Sequence, residues 1–385
     1  MTNAGYSEWL RKQFLGSRRR CDLVAAFCRN ICLVTAEFVL RQPYLSWRWQ
    51  NVIAGSPAAT APWKFLSRRS RTRLSNAMAK KIALLFAGQG AQCVGMGRDL
   101  AERYAASADL FRQADEILAR NFCDIAWNGP IEELTKTSNC QPALYVHALT
   151  ALAAVREVLG EFEVGGAAGL SLGEITAHAA AGTFDFAAGL RLVQKRGEFM
   201  DEACATTQGG MAAMIGGLEN DVRRLAADED VDIANINAPN QIVISGGLAN
   251  VETAVGVAKE YGIGRATMLN VAGAYHSRLM ESAYVKFERV LADVPMQSPR
   301  FPVISNVTGE EVKTPEEILE TLRDQVTGTV RWTDCMQRLI DLGCDFFIEL
   351  GPGNVLAGLL KRTNRTIPVI SIGDAESVGK CGGAL

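Results

Sequence analysis

Short apolar runs alternate with longer stretches of helical period along most of this chain, and that alternation restricts the fold more than any single motif does. Ile82–Phe86, Ala167–Gly169, Pro302–Asn306 and Asp345–Leu350 read as strands. Leu100–Arg120, Pro142–Leu159, Glu174–Gly182, Gly189–Ala203, Pro315–Val326 and Trp332–Leu342 read as helices, with a closing helix after Gly353. Strands separated by helices need crossover connections, so the expected class is α/β with a mostly parallel sheet. Between 206 and 272 the texture changes. Met211–Ile215, Val231–Asn235, Gln241–Ser245 and Arg265–Leu269 read as strands, with helices at Glu219–Ala227 and Asn250–Tyr261. That β-α-β-β-α-β order predicts an inserted ferredoxin-like subdomain. The expected division is therefore a large α/β domain from 78–205 and 273–375, and a small one at 206–272.

Composition narrows the function classes. The chain of 385 residues is 48% hydrophobic and 21% charged, enough for a large core with a satellite. A formal net charge of −2 supplies no global basic field for nucleic acid or an anionic membrane. Ten cysteines without CxxC pairs fit reduced thiols rather than disulfides or a metal site, which places the protein in the cytoplasm or an organelle stroma. The best candidate for a membrane span, Cys21–Leu40, is interrupted by Asp22, Arg29 and Glu37, so no span is expected. Residues 1–77 stand apart as a basic extension whose only acids are Glu8, Asp22 and Glu37. They read either as a transit segment or as sequence upstream of a later start at Met78.

Gly169-Leu170-Ser171-Leu172-Gly173 fits the G-x-S-x-G elbow, a sharp strand-to-helix turn that lifts a serine hydroxyl above the sheet. A short apolar run precedes it and a helix follows, as the elbow needs. The serine requires a base, and the chain offers only His147, His178 and His276. His147 lies within a helix and His178 seven residues past the serine, so both read as packing or surface residues. His276 sits in a Gly-containing loop after a strand and is the better base. Gly88-Gln89-Gly90 follows the first strand, but no third glycine or GK[ST] completes a nucleotide loop. Its glycines suit a backbone that aims the Gln89 N–H at an oxyanion, with the Leu172 N–H as second donor. Arg196, on the helix beyond the elbow, could bind a substrate carboxylate with two prongs.

Together these residues resemble the malonyl-CoA:acyl-carrier-protein transacylase family and the acyltransferase domains of polyketide synthases. The resemblance runs from Lys81 to Ile372 and rests on Phe86-Ala-Gly-Gln-Gly-Ala-Gln92, Gln141-Pro-Ala143, Ser171-Leu-Gly-Glu174, Arg196-Gly197, Asn237-Ala-Pro-Asn-Gln241, Ala274-Tyr-His276, Ser305-Asn306, Val330-Arg-Trp332 and Glu349-Leu-Gly-Pro-Gly353. It implies a large α/β-hydrolase-like domain, an acylated Ser171, His276 as base and Arg196 on the malonyl carboxylate. It also implies an oxyanion hole from the Gln89 and Leu172 backbones, and a His276 oriented by the backbone carbonyl of Gln325. Leu170 stands where the family usually has histidine, and Ala87 where it has proline. Tyr275, bulky beside the base, favours malonyl over α-methylated substrates. The implied reaction moves malonyl from malonyl-CoA to acyl carrier protein in fatty-acid synthesis, with a monomeric enzyme and no bound cofactor or metal. The rivals are an esterase or thioesterase of the α/β-hydrolase class, which expects an Asp or Glu between serine and histidine, and a non-catalytic carrier-protein docking module.

Overall fold

The computed structural model describes residues 80–383, and the expectations for 1–77, Cys21–Leu40 included, lie outside them. Met78–Leu385 form one compact unit. Its spine is β1 (Ile82–Phe86), whose five side chains are all buried, as a strand covered on both faces requires. The chain then runs through α1 (Arg98–Arg103), α2 (Ala105–Leu118), α3 (Phe122–Asn128), α4 (Ile131–Thr135) and α5 (Thr137–Leu159) to β2 (Val164–Gly169). After α6 (Leu172–Ala181) and α7 (Phe186–Thr206) come β3 (Gly209–Ile215), α8 (Glu219–Asp228), β4 (Asp232–Ala238), β5 (Gln241–Gly247), α9 (Leu248–Val257) and β6 (Arg265–Met268). The rest comprises α10 (Glu281–Ala292), β7 (Val303–Ile304), β8 (Glu311–Val312), α11 (Pro315–Asp324), α12 (Trp332–Asp341), β9 (Phe346–Leu350), α13 (Val355–Thr363), β10 (Val369–Ile372) and α14 (Ala375–Cys381).

Six strands form the large sheet in the order β10-β9-β1-β2-β7-β8, parallel except for the β7–β8 pair. Phe86 pairs with both Gly169 and Leu350, so β1, β2 and β9 end level and their following loops lie side by side. Ligands of open α/β sheets bind at that carboxyl edge. The second sheet, β4-β5-β3-β6, is antiparallel throughout. Its alternate residues Ala212, Met214, Ile242 and Ile244 pack with Val222 and Leu225 of α8 and Val251 of α9 into a separate core. The central strands β3 and β5 are buried at five consecutive positions each, so both of their faces are covered. The main chain of β4 is tied to the large domain: Val330 donates to the Ala234 carbonyl at 2.8 Å, and Ile236 to that of Val330 at 2.9 Å.

Several elements depart from the sequence reading. The predicted Leu100–Arg120 helix is two, broken at Tyr104, which takes extended φ and ψ. Helix α5 begins at Thr137, not at Pro142, because Asp201 of α7 accepts from the Thr137 and Ser138 N–H groups at 3.1 and 2.9 Å. A cap from a distant helix leaves no local signal. With 23 residues, α5 is also long and apolar enough to cross a membrane, yet 72% of its most apolar stretch is buried in the protein, which is the setting of a core helix. The Pro302–Asn306 run shrinks to two strand residues. Helix α10, β10 and α14 were unforeseen, although Ala283, Phe287 and Leu291 mark a buried stripe at helical spacing in α10.

Candidate active site

Ser171 occupies the turn between β2 and α6 with φ 54° and ψ −108°, which no non-glycine residue adopts without strain. The two flanking glycines are dictated by space. A Cβ on Gly169 would lie 1.8 Å from the Gly173 carbonyl carbon, and one on Gly173 would lie 2.3 Å from the Phe86 oxygen. Asn306, just past β7, holds the turn: its Oδ1 accepts from the Ser171 N–H at 2.7 Å and its Nδ2 donates to the Gly169 carbonyl at 2.9 Å.

His276 comes to this turn from the loop after β6, itself at φ 56°. Its Nε2 lies 2.7 Å from Ser171 Oγ, and its Nδ1 lies 2.9 Å from the Gln325 carbonyl. A carbonyl only accepts, so Nδ1 carries the proton and Nε2 presents its lone pair to the hydroxyl. Burial, and secondarily the Arg196 charge, push His276 down to about 4, so it is a neutral base at physiological pH. The other two histidines stay away from Ser171. His147 Nε2 meets the Gly373 carbonyl at 3.0 Å, and His178 Nδ1 meets Thr183 Oγ1 at 3.1 Å. Both are fully buried packing residues.

Arg196 of α7 is 1% exposed, not solvated, and no carboxylate among the described residues is in an ion pair with it. Its Nη2 donates to Ser171 Oγ at 3.1 Å and to Gln325 Oε1 at 2.9 Å, while Nε and Nη1 are buried without a partner. Burial lowers it only to about 10, so it remains a cation. Two guanidinium nitrogens that keep N–H donors unpaired beside a nucleophile suit the binding of an anion.

The site opens into a cavity of about 470 Å³ whose lining includes Gln89, Leu170, Asn237, Tyr275 and His276. Leu172 also lines it, and as the first residue of α6 its N–H has no acceptor inside the helix. Gln89 borders it from the loop after β1. The Tyr275 hydroxyl is anchored 2.8 Å from Thr137 Oγ1, which fixes the ring beside the base. A second groove of similar volume, between α2, α5 and α6, holds apolar side chains with Arg156, Glu157 and Arg300 but no nucleophile or histidine. Glu349 is accounted for structurally. Its carboxylate caps α13 by accepting from Leu356 and Ala357 N–H at 2.8 and 3.1 Å.

The sequence reading brought together Ser171, His276, Arg196, Gln325, Gln89, Leu172 and Tyr275, and the structure gathers all of them around one turn. It assigned no task to Glu174 or to the side chains of Asn306 and Gln325. Glu174 did carry a signal: it is the one acid in the mostly apolar Leu172–Ala181 helix, where an acid is expected to be buried with partners.

The profile of the family described as "Acyl transferase domain" matches residues 83–382, which sets the class. A malonyl CoA-acyl carrier protein transacylase of Bacillus subtilis (strain 168) is 40% identical over 306 residues, 77% of this chain and 95% of that protein. A polyketide biosynthesis malonyl CoA-acyl carrier protein transacylase of the same organism is 43% identical over 293 residues, 74% of this chain and 97% of its own. Among solved structures, the acyl-carrier-protein S-malonyltransferase of Bartonella henselae superposes with a TM-score of 0.76 at 38% identity, covering 79% of this chain and 99% of that one. A malonyl-transacylase solved in complex with a type II polyketide-synthase acyl-carrier protein does so with 0.76 at 33% identity, covering 80% and 100%. The chain belongs to the malonyl-CoA:acyl-carrier-protein transacylase family.

Proposed function

We propose that this protein transfers malonyl from malonyl-CoA to the phosphopantetheine thiol of acyl carrier protein through a malonyl-serine at Ser171. The observation that carries the reading is the buried Arg196 cation, 3.1 Å from Ser171 Oγ and with two donors unpaired. In the first half-reaction His276 takes the hydroxyl proton as Oγ attacks the thioester carbonyl. The tetrahedral oxyanion is held by the Gln89 and Leu172 N–H groups, and its collapse expels the coenzyme A thiolate, which takes up the proton from His276. In the second, His276 deprotonates the carrier thiol, which attacks the ester and returns the proton to Ser171. Arg196 holds the malonyl carboxylate throughout, and Tyr275 fills the space beside its α-carbon. The main-chain carbonyl on His276 Nδ1 disfavours an esterase, whose triad places a carboxylate there.

The finer architecture fits this scheme as an α/β-hydrolase-like domain with a ferredoxin-like insertion at 206–272. Scattered thiols and a reaction without redox or metal steps support a cytoplasmic, monomeric enzyme that keeps no bound cofactor. Fatty-acid synthesis is the favoured pathway, and the polyketide relative makes polyketide synthesis the alternative. The test is a chase. Isotopically labelled malonyl-CoA should label the protein on Ser171, and added holo carrier protein should remove the label as malonyl-carrier, with the preferred carrier naming the pathway. Release as free malonate at the same rate without carrier would make the protein an esterase.

A further inference from the structure

Glu174 is fully buried one turn into α6, and the malonyl-transfer scheme does not use it. Its Oε2 accepts from the Asn306 N–H at 3.0 Å and from Gln325 Nε2 at 2.6 Å. Gln325 is the junction of the site. Its main-chain carbonyl accepts a hydrogen bond from His276 Nδ1–H, its Nε2 also donates to the Ser171 carbonyl at 3.0 Å, and its Oε1 accepts from Arg196 Nη2 at 2.9 Å. A primary amide can be rotated end for end with little change in shape, so its partners must decide which end faces the arginine. Burial raises Glu174 to about 7, and above that value it is a carboxylate, which can only accept. Placed at hydrogen-bond distance, it draws the NH2 end of Gln325 to itself and thereby turns Oε1 towards the guanidinium. With the amide reversed, NH2 would confront a buried cation and Arg196 would lose its anchor. Glu174 is also the anion whose field reaches Arg196, lending the buried cation a counter-charge without pairing with it.

We propose that Glu174 is a positioning residue that sets the orientation of the Gln325 amide and, through it, holds the Arg196 guanidinium beside Ser171 to receive the substrate carboxylate. The proposal rests on the reading of Arg196 as carboxylate ligand. Its Nε and Nη1 are buried without a partner, and the Nη2 contacts to Gln325 and Ser171 set where the guanidinium presents them. Glu174 therefore acts on the selectivity of the site for an acidic acyl group, not on the serine and histidine that acylate any thioester.

The experiment measures kcat and KM with malonyl-CoA and acetyl-CoA for wild type, Glu174→Gln, Glu174→Ala, Arg196→Ala and the double variant Arg196→Ala/Glu174→Gln. Glu174→Ala should lose about tenfold or more in kcat/KM for malonyl-CoA, the scale of a released charge-assisted hydrogen bond, mostly in KM. Acetyl-CoA should change less than about threefold. Glu174→Gln keeps an oxygen for the Asn306 and Gln325 donors but not the charge, so it should fall between wild type and alanine for malonyl-CoA alone. In the Arg196→Ala background Glu174→Gln should cost nothing further, because the two residues act on one contact. Equal losses for both thioesters, or a Glu174→Gln loss that persists in full without Arg196, would overturn the proposal. This second comparison stands even if Glu174→Ala fails to fold. If Arg196→Ala itself left the malonyl preference intact, the carboxylate assignment of Arg196 would fail, which is a separate result.

Discussion

Removal of the Arg196 guanidinium separates a malonyl transferase from a general serine acyltransferase. The side chain is 1% exposed, so a carboxylate bound to it is withdrawn from water. Arg196→Ala would strand that charge, at about 3–5 kcal/mol, or roughly 100- to 4,000-fold in kcat/KM for malonyl-CoA. Acetyl-CoA presents no such charge. It would lose only what the 3.1 Å contact from Nη2 to Ser171 Oγ gives, about 1 kcal/mol for one hydrogen bond. Part of that should return, because Arg196 helps to depress His276 and its removal makes the base stronger. The preference should therefore invert towards acetyl-CoA. Arg196→Lys should fall between, since an ammonium cannot reproduce the two-pronged geometry. The assay is kcat/KM for both thioesters on the same preparation, so the ratio cancels any loss of active fraction. Equal losses for the two substrates would refute the reasoning and make Arg196 structural.

Five further outcomes are expected. Ser171→Ala should abolish covalent labelling by malonyl-CoA with its circular dichroism unchanged, and His276→Ala should slow acylation by roughly 10² to 10⁴; a labelled Ser171→Ala protein would displace the nucleophile. Because His276 lies at about 4 rather than 6.5, single-turnover acylation by acetyl-CoA, which does not draw on the Glu174 charge, should hold its rate down to about pH 5, and an acid limb centred near 6.5 would contradict the buried neutral base. For stability the sign follows from proton uptake. His147, His178 and His276 are held at about 4, 3 and 4, so between those values and 6.5 the unfolded chain binds protons that the folded one refuses. Glu174, raised to about 7, and Glu349, also raised, act in the opposite sense, but they are two groups against three. Urea midpoints should fall from pH 7 to pH 5, and a rise would show that the carboxyls dominate. Gly173→Ala should prevent soluble folding or cut the melting temperature sharply, since its Cβ would sit 2.3 Å from a main-chain oxygen; wild-type melting would mean that the elbow can move.

What the sequence disclosed followed locality. Strands β1 and β9 showed as buried apolar runs, and the small sheet as short strand runs in a β-α-β-β-α-β order, because each run lies within a few consecutive residues. Ser171 was legible through its flanking glycines, and His276 because only three histidines compete. The start of α5 was not, since its cap is Asp201, and Tyr104 carries no breaker residue to announce the split before α2. The same limit applied to the site. The side-chain roles of Asn306, Gln325 and Glu174 depend on partners more than a hundred residues distant, and no spacing rule reaches that far.

The positive φ of both Ser171 and His276 gives that distance its purpose. Each such residue costs of order 1–3 kcal/mol and persists only where its surroundings over-determine it. For Ser171 the determinants come from three strand ends: the Phe86 oxygen that forbids a side chain at Gly173, the Gly169 carbonyl, and Asn306, which bonds both that carbonyl and the serine N–H. For His276 the determinant is Gln325, whose main-chain carbonyl accepts from the ring Nδ1–H while its side chain accepts from Arg196. One residue thus couples the base, which any acyl transfer needs, to the cation, which only an acidic acyl group needs. The G-x-S-x-G elbow could serve hydrolysis or transfer. A carbonyl in place of a carboxylate behind the histidine, and a guanidinium cation beside the nucleophile, are the two features on which the proposed preference for malonyl rests.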